Sequence, residues 1–490
     1  MTHALARAAR QLAQLSRTQA LALLTLAFVA SRLACWSAGV RFDAGPVNTY
    51  FQYLDPRLLR EDLARSLLYL HSQPPLFNLF LGGLLKICPN QLAAAGAVVF
   101  LAFGVALYLG AFLLMERLAV PRLLNTALVL WLMLNPAALL YENWLFYDYP
   151  LAGLLALAAL LLHGFVARPG LARGCCFFAA LAGLALTRSL FHPAWLVLWA
   201  ALLIYALRSS RRAVCVAAAI PLALVCAWYG KNAVLFGAFT GSTWAGMNLA
   251  RISTFQEAEI EREVLAADGF LSKLALVPPF GSLRAYADQR PPARPPIHPA
   301  LDEETKSTGA VNFNHRDYIE ISRGYLADAR RVIFHRPWAY LDGVLRAWFC
   351  FFIPGSDYPL LRENRSRIRV YDCWFNRLLA GQVCYRQDSA GGELTSGNLA
   401  WGLIAAYFVA LGGAALALRR MLRARVPEQL PELTTVLFLW TTVLYVAVVG
   451  NCFEVGENNR FRFLTDPLVL CLLGWLAGRW RRVAPASCRL

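Results

Sequence analysis

Val40-Arg-Phe-Asp43-Ala-Gly45, Tyr50-Phe-Gln-Tyr-Leu-Asp55 and His71-Ser-Gln73-Pro-Pro-Leu76 lie within one stretch, and the reading of this chain turns on it. The stretch follows an apolar run directly and precedes the next long one. It is therefore a polar segment between two membrane spans. It carries Asp43, Asp55, Glu61, Asp62 and His71. Carboxylates held at a membrane surface, where a long lipid can enter, suit group transfer at the bilayer edge. The remaining sequence either builds the membrane part or faces these residues.

The chain has 490 residues, 58% of them hydrophobic. That is too apolar for a soluble protein, and several runs approach the ~20 residues that cross a bilayer. The formal net charge is +17, from 47 basic and 30 acidic residues. The Arg residues fall in short loops between apolar segments, as cytosolic loops require. The charge therefore reads as topology and not as nucleic-acid binding. The preference for Arg over Lys, with many Ala and Leu, suggests a high-GC bacterial gene and hence a bacterial inner membrane. The first apolar segment is followed by Trp and Arg and not by small residues, so it reads as a retained span. Most of the twelve Cys fall inside apolar segments and read as small buried residues. Cys373 and Cys384 share a polar, non-cytosolic loop where a disulfide can form. No Cys/His spacing resembles a zinc site.

The fold class expected is an all-α polytopic membrane protein. Ten spans are expected, at about 19–39, 91–115, 122–141, 148–166, a pair over 172–207, 213–230, 398–418, 433–450 and 464–480. Arg7, Arg10 and Arg17 put the N-terminus in the cytosol. Pro74-Pro75 opens a short helix to Cys88 that lies at the interface. The segment 317–335 places Tyr318, Ile321, Tyr325, Ala329 and Val332 on one helical face. It reads as an amphipathic helix, packed in a small external region or lying on the membrane. The apolar segment 337–354 is read as not crossing. This keeps Arg419, Arg420, Arg423, Arg425, Arg479, Arg481 and Arg482 cytosolic. The chain then divides into an N-terminal membrane module (1–230), an external or interfacial region (231–397) and a C-terminal membrane module (398–490).

Under this topology the polar residues that can carry chemistry gather on the non-cytosolic side. Asp43, Asp55, His71 and Gln73 lie in the first loop, and Glu142 and Asp148 in the second. Arg188 and His192 lie in the third, and Lys231 lies just past the seventh span. Glu454, Glu457, Arg460, Arg462 and Asp466 lie in the last. Ionisable groups at this depth usually face a cavity. Several have plainer readings. Asp55 precedes Pro56 and suits a helix cap. His71 suits a turn packed on Pro74. Asp43 suits the flank of a helix end. Arg460 and Arg462 alternate with Phe461 and Phe463, so one points inward while the other snorkels.

The order of these motifs resembles the GT-C superfamily of polyprenyl-phosphate-sugar glycosyltransferases. Protein O-mannosyltransferases and lipid A aminoarabinose transferases are the nearest in kind. Asp43-Ala44 stands where that family has Asp-Glu. His71-Ser-Gln-Pro-Pro-Leu76 resembles its His-Pro-Pro-Leu, Glu142…Asp148-Tyr-Pro its second acidic loop, and Glu457-Asn-Asn-Arg460-Phe-Arg462-Phe its closing Glu-x-Arg-Phe. The likeness covers about 20–200 and 430–480. It implies a GT-C-like bundle of about ten transmembrane helices, with interfacial helices and a small external helical region. It implies an inverting transfer of a sugar from a polyprenyl phosphate to a hydroxyl of a protein, lipid or glycan, on the periplasmic or extracellular face. Asp43 would be the general base, with Asp55, Glu142 and Asp148 as further catalytic carboxylates. Arg460 or Arg462, with Lys231 or Arg188 as alternatives, would hold the phosphate, since a guanidinium binds two oxygens at once. His71, Gln73, His192 and Glu457 would contact substrate. The resemblance implies no certain cofactor. It leaves a divalent cation open, and Ala44 removes one carboxylate that would bind it.

A lipid or solute transporter, or a flippase, is the alternative from another class. It predicts two related halves with broken helices and charges deep within spans. The sequence shows neither. A non-catalytic scaffold would leave the clustered carboxylates without a role.

Overall fold

The computed structural model describes residues 15–292, 294–384, 396–424 and 426–483. Arg7, Arg10 and Arg425 lie outside them. Among the described residues the chain is helical, and strand-like pairing is limited to isolated bridges such as Asp43 with Trp144.

Seven helices are long and apolar enough to cross a membrane: Arg17–Ser37, Leu92–Arg117, Asp148–Ala167, Arg208–Phe236, Trp401–Ala424, Pro427–Phe453 and Asn458–Trp480. This is a multi-pass helical membrane protein. The expected span at 122–141 is instead two helices, Arg122–Leu134 and Pro136–Glu142, bent by 56°. The cause is Asn135-Pro136. Proline supplies no N–H and drives the preceding residue out of the helical region. Asn135 accordingly sits at φ −59°, ψ 125°, and its side chain caps the second piece through the Ala137 N–H at 2.9 Å. Counted as one span, the pair makes eight. The expected pair over 172–207 forms helices Leu171–Thr187 and Pro193–Ala206, of 17 and 14 residues, shorter than a full crossing.

Helix Asp148–Ala167 is the centre of the bundle. It packs on Leu92–Arg117, Leu171–Thr187, Leu430–Phe453 and Asn458–Val483. Its Ala152, Ala156 and Ala159 are fully buried, and small residues let helix backbones approach closely in a membrane. One end of the bundle is arginine-rich. There Arg17 pairs with Glu116 at 3.2 Å and Arg479 with Glu432 at 3.3 Å. The first, second, third and last loops meet at the other end.

The Pro74-Pro75 helix runs from Leu76 to Ile87, as expected. The helix over 317–335 forms as Asp317–His335. All five face residues, Tyr318, Ile321, Tyr325, Ala329 and Val332, are buried. Its apolar face does not lie on the membrane. It packs against helix Ala245–Ile252, so closely that a Cβ on Gly246 would stand 1.7 Å from the Ser322 carbonyl oxygen. Helix Pro337–Phe351, with 15 residues, is not among those long enough to cross. The boundary expected at 230/231 falls inside a helix, because Arg211–Phe236 continues to Gly237 in the left-handed region. Cys373 and Cys384 are both free thiols.

Candidate functional site: an arginine-lined cavity

The loops that meet at the polar end enclose a cavity of about 380 Å³. Its charged lining is Arg188, Arg251, Arg460 and Glu454, and Gln52, Gln73, His192 and Asn248 add polar groups. Phe51, Tyr147, Trp244 and Phe280 give it flat walls. Tyr445, Val449 and Phe453 form another wall. They recur every four residues, so one face of a membrane-spanning helix borders the cavity.

Two of the guanidiniums are fixed by one carboxylate. Asp148 opens the central helix, where the exposed backbone N–H groups favour negative charge, and it is wholly buried. Arg188 Nη1 donates to Asp148 Oδ1 at 2.7 Å, and Arg460 Nε stands 3.3 Å from Asp148 Oδ2. Arg460 also donates to Glu457 Oε2 at 2.6 Å and to the Tyr50 hydroxyl at 3.0 Å, over the ring of Phe146. Arg188 lies over Phe461, 4.3 Å from the ring centre. The approach is close at Gly450, where a Cβ would meet Phe461 at 2.7 Å. Arg251 differs: among the described residues its guanidinium has no hydrogen-bond or ion-pair partner.

The structure thus brings Gln73, Arg188, His192 and Arg460 into one cavity, with Asp148 and Glu457 directly behind the arginines. The other candidate residues stand elsewhere. Asp43 Oδ1 accepts from the Gly45 N–H at 2.8 Å, an Asx turn at the start of helix Pro46–Thr49. Asp43 does not line the cavity. Asp55 is a cap, accepting from the Arg57 N–H at 2.8 Å, and it also binds the Ser307 N–H and hydroxyl, each at 2.6 Å. Glu142 is taken by Arg32 at 2.8 and 2.7 Å and by the Tyr149 hydroxyl at 2.5 Å. Gly104 makes room for this group, since a Cβ there would stand 2.6 Å from Glu142 Oε2.

His71 is fully buried, between the Thr243 hydroxyl (2.8 Å from Nδ1) and the Asn314 carbonyl (2.9 Å from Nε2). The carbonyl can only accept, so Nε2 carries the proton. Burial lowers the imidazole to about 3, so the ring is neutral at pH 7. Lys231, inside its helix, donates to the carbonyls of Leu70 at 2.5 Å and Leu68 at 3.2 Å. Arg462 points away from the cavity, to the Phe351 and Ile353 carbonyls at 2.9 and 2.6 Å, and to Asp466 at 3.3 Å. Among the described residues no three His, Cys, Asp or Glu side chains are grouped to hold a metal ion.

Sequence reasoning missed Arg251 and made no site residue of Glu454. Arg251 had no signal, lying in a segment with neither a span nor a motif. Glu454 stood beside the more conspicuous Arg460 and Arg462. In comparisons with known proteins, the chain matches no family model, no curated protein and no solved structure.

Proposed function

We propose that this protein is a membrane glycosyltransferase that moves a sugar from a polyprenyl phosphate to an acceptor hydroxyl on the non-cytosolic face. One observation carries the reading. Three arginines face a cavity that shares a wall with a membrane-spanning helix. A donor that is both anionic and lipid-linked needs both features at one place. About 380 Å³ lies toward the small end of ligand cavities, enough for a sugar and its phosphate. The isoprenoid tail then runs along the Tyr445–Val449–Phe453 face, where Phe453 is about half exposed.

In this reading Arg188 and Arg460, held in place by Asp148, and the unpaired Arg251 bind the phosphate and stabilise the charge that grows on it as the sugar leaves. Gln52, Gln73 and Asn248 supply donors and acceptors for sugar hydroxyls. Trp244 and Phe51, stacked 5.5 Å apart, offer a flat apolar surface for a sugar ring. The ten-span GT-C bundle belongs to the same proposal, with the two short helices as its additional crossings.

Purified protein in nanodiscs, supplied with polyprenyl-phosphate-linked hexoses and separately with nucleotide sugars, tests this. The expected result is sugar release from the lipid donors alone. Transfer from a nucleotide sugar with no lipid donor present would overturn the reading. Movement of the lipid phosphate between leaflets without sugar release would favour a flippase.

A further inference from the structure

The cavity contains one carboxyl group that no described side chain or backbone N–H engages. Glu454 follows the last residue of helix Leu430–Phe453 and lines the cavity with the three arginines. Its backbone is fixed on both sides. Its N–H donates to the Gly450 carbonyl at 3.2 Å, and its carbonyl accepts from Asn458 Nδ2 at 2.9 Å. Asn458 also binds Asn451 at 2.8 Å and, through Oδ1, the Gly456 N–H at 2.9 Å. Gly456, at φ +108°, lets the chain turn sharply enough to return to the bundle. A Cβ there would stand 3.2 Å from Arg251 Nη2, so this turn also borders the unpaired arginine.

Every other acidic candidate is committed. Asp43 binds Gly45, Asp55 binds Arg57 and Ser307, and Glu142 binds Arg32 and Tyr149. Asp148 binds Arg188, Glu457 binds Arg460 and Tyr358, and Asp466 binds Arg462 and Tyr407. A carboxylate held by a cation or by several donors offers an acceptor hydroxyl few free lone pairs. Asp43, which accepts a single N–H and whose carboxyl is pushed up by burial, does not line the cavity.

We propose that Glu454 is the catalytic base of this cavity, taking the proton of the acceptor hydroxyl as that oxygen attacks the sugar. The proposal rests on the donor reading above. In the step, the bond from the acceptor oxygen to sugar C1 forms while the bond from C1 to the phosphate oxygen breaks. The bonding electron pair leaves with the phosphate, and the acceptor proton passes to a Glu454 carboxylate oxygen. Charge follows the same path. Arg188, Arg251 and Arg460 face Asp148, Glu454 and Glu457, a balanced set, with His192, Tyr147 and Tyr445 in the walls. The lipid phosphate gains negative charge when the sugar departs. Glu454 loses its own charge in that step, so the arginines meet the leaving group with one competitor fewer. Burial raises the Glu454 carboxyl above the ordinary glutamate range, and the Glu457 carboxylate adds to this. Arg460, Arg251 and Arg188 pull it partly back. A raised carboxyl is better matched to proton transfer near neutral pH.

Full-length wild type, Glu454→Gln and Glu454→Asp in nanodiscs are compared by three measurements. These are infrared titration of protonated carboxyl groups, binding of undecaprenyl phosphate, and hexose release from undecaprenyl-phosphate-linked mannose and glucose. The expected result is a titrating carboxyl band that Glu454→Gln lacks. In that variant lipid-phosphate binding stays within about threefold of wild type, and hexose release falls ~10²–10⁴-fold. Glu454→Asp recovers part of the loss. Wild-type release by a folded Glu454→Gln protein would overturn the role of Glu454 and leave the donor reading standing. A wild type that shows the Glu454 band yet binds no undecaprenyl phosphate and releases no hexose would overturn the donor reading, and the proton transfer with it.

Discussion

Asp148 Oδ1 accepts a hydrogen bond of 2.7 Å from Nη1 of Arg188, forty residues later in the chain, with both groups out of contact with bulk water. The carboxylate is shared, since Arg460 stands 3.3 Å from its second oxygen. Removing one member of a buried charge pair leaves the other uncompensated, at about 3–5 kcal/mol. Asp148→Asn, which cannot balance either arginine, is therefore expected to lower stability by about 3 kcal/mol and to weaken lipid-phosphate binding. Thermal unfolding in detergent, beside a binding isotherm, checks both. A variant as stable as wild type would mean that the arginines are balanced elsewhere.

Arg251 and Arg460 share the cavity but differ in their partners. Arg460 is bound to Asp148, Glu457 and Tyr50. Arg251→Gln is expected to leave stability within about 0.5 kcal/mol of wild type, because no described side chain depends on it. It should still weaken undecaprenyl phosphate binding about tenfold or more, the loss of one charge-assisted hydrogen bond. Arg460→Gln should reduce both. Equal unfolding midpoints for the two variants would contradict the contrast.

Asp43 and Asp55 exchange the importance that the sequence suggested. Asn at position 43 keeps an oxygen for the Gly45 N–H, so Asp43→Asn should retain transfer within about tenfold, since the turn survives. Asp55 uses both oxygens, one for the Arg57 N–H and the Ser307 hydroxyl, the other for the Ser307 N–H. Asp55→Asn sets an amide N–H against a backbone N–H and should cost about 1–3 kcal/mol. A folded Asp43→Asn protein with no turnover would return the base to position 43.

His71 makes stability depend on pH. In the unfolded chain it takes a proton near its ordinary value of 6.5, but in the folded protein only near 3. Its contribution is therefore complete above about pH 6.5 and is lost as pH falls toward 3. In that interval the slope is about 1.4 kcal/mol per pH unit. Unfolding midpoints of wild type and His71→Gln, measured from neutral pH to pH 4, should converge toward acid. Parallel curves would show that the ring is charged in the folded state.

Apolar runs located the long helices because crossing a bilayer demands length and hydrophobicity together. The break at Asn135 was missed, since the segment was expected as one span, although Asn-Pro both caps and interrupts a helix. The alternation at Arg460 and Arg462 was legible only in part, because Arg462 does not snorkel: it is as buried as Arg460 and is held by protein carbonyls and Asp466. Residues two apart on a helix point in nearly opposite directions, and one faces the cavity while the other faces the Phe351 and Ile353 carbonyls. Partners were not legible. Glu142 looked free because its cation, Arg32, lies within the first apolar segment. Arg251 and Glu454 are 203 positions apart by number, and only the fold brings them to one cavity. A count of acidic residues in loops cannot tell a committed carboxylate from an available one.

The bond from Arg460 to the Tyr50 hydroxyl spans 410 residues, and those from Ser307 to Asp55 span 252. At ~5–20 residues per second of synthesis, the first loop waits roughly 20–80 s for Arg460. Through that interval Tyr50 lacks its Arg460 partner, and for the first part of it Phe51 also lacks Trp244, Phe280 and Phe313. A nascent chain stalled before residue 244 should therefore carry a protease-sensitive first loop beside helices already inserted. Chains that fail midway through synthesis should be recognised at their beginning.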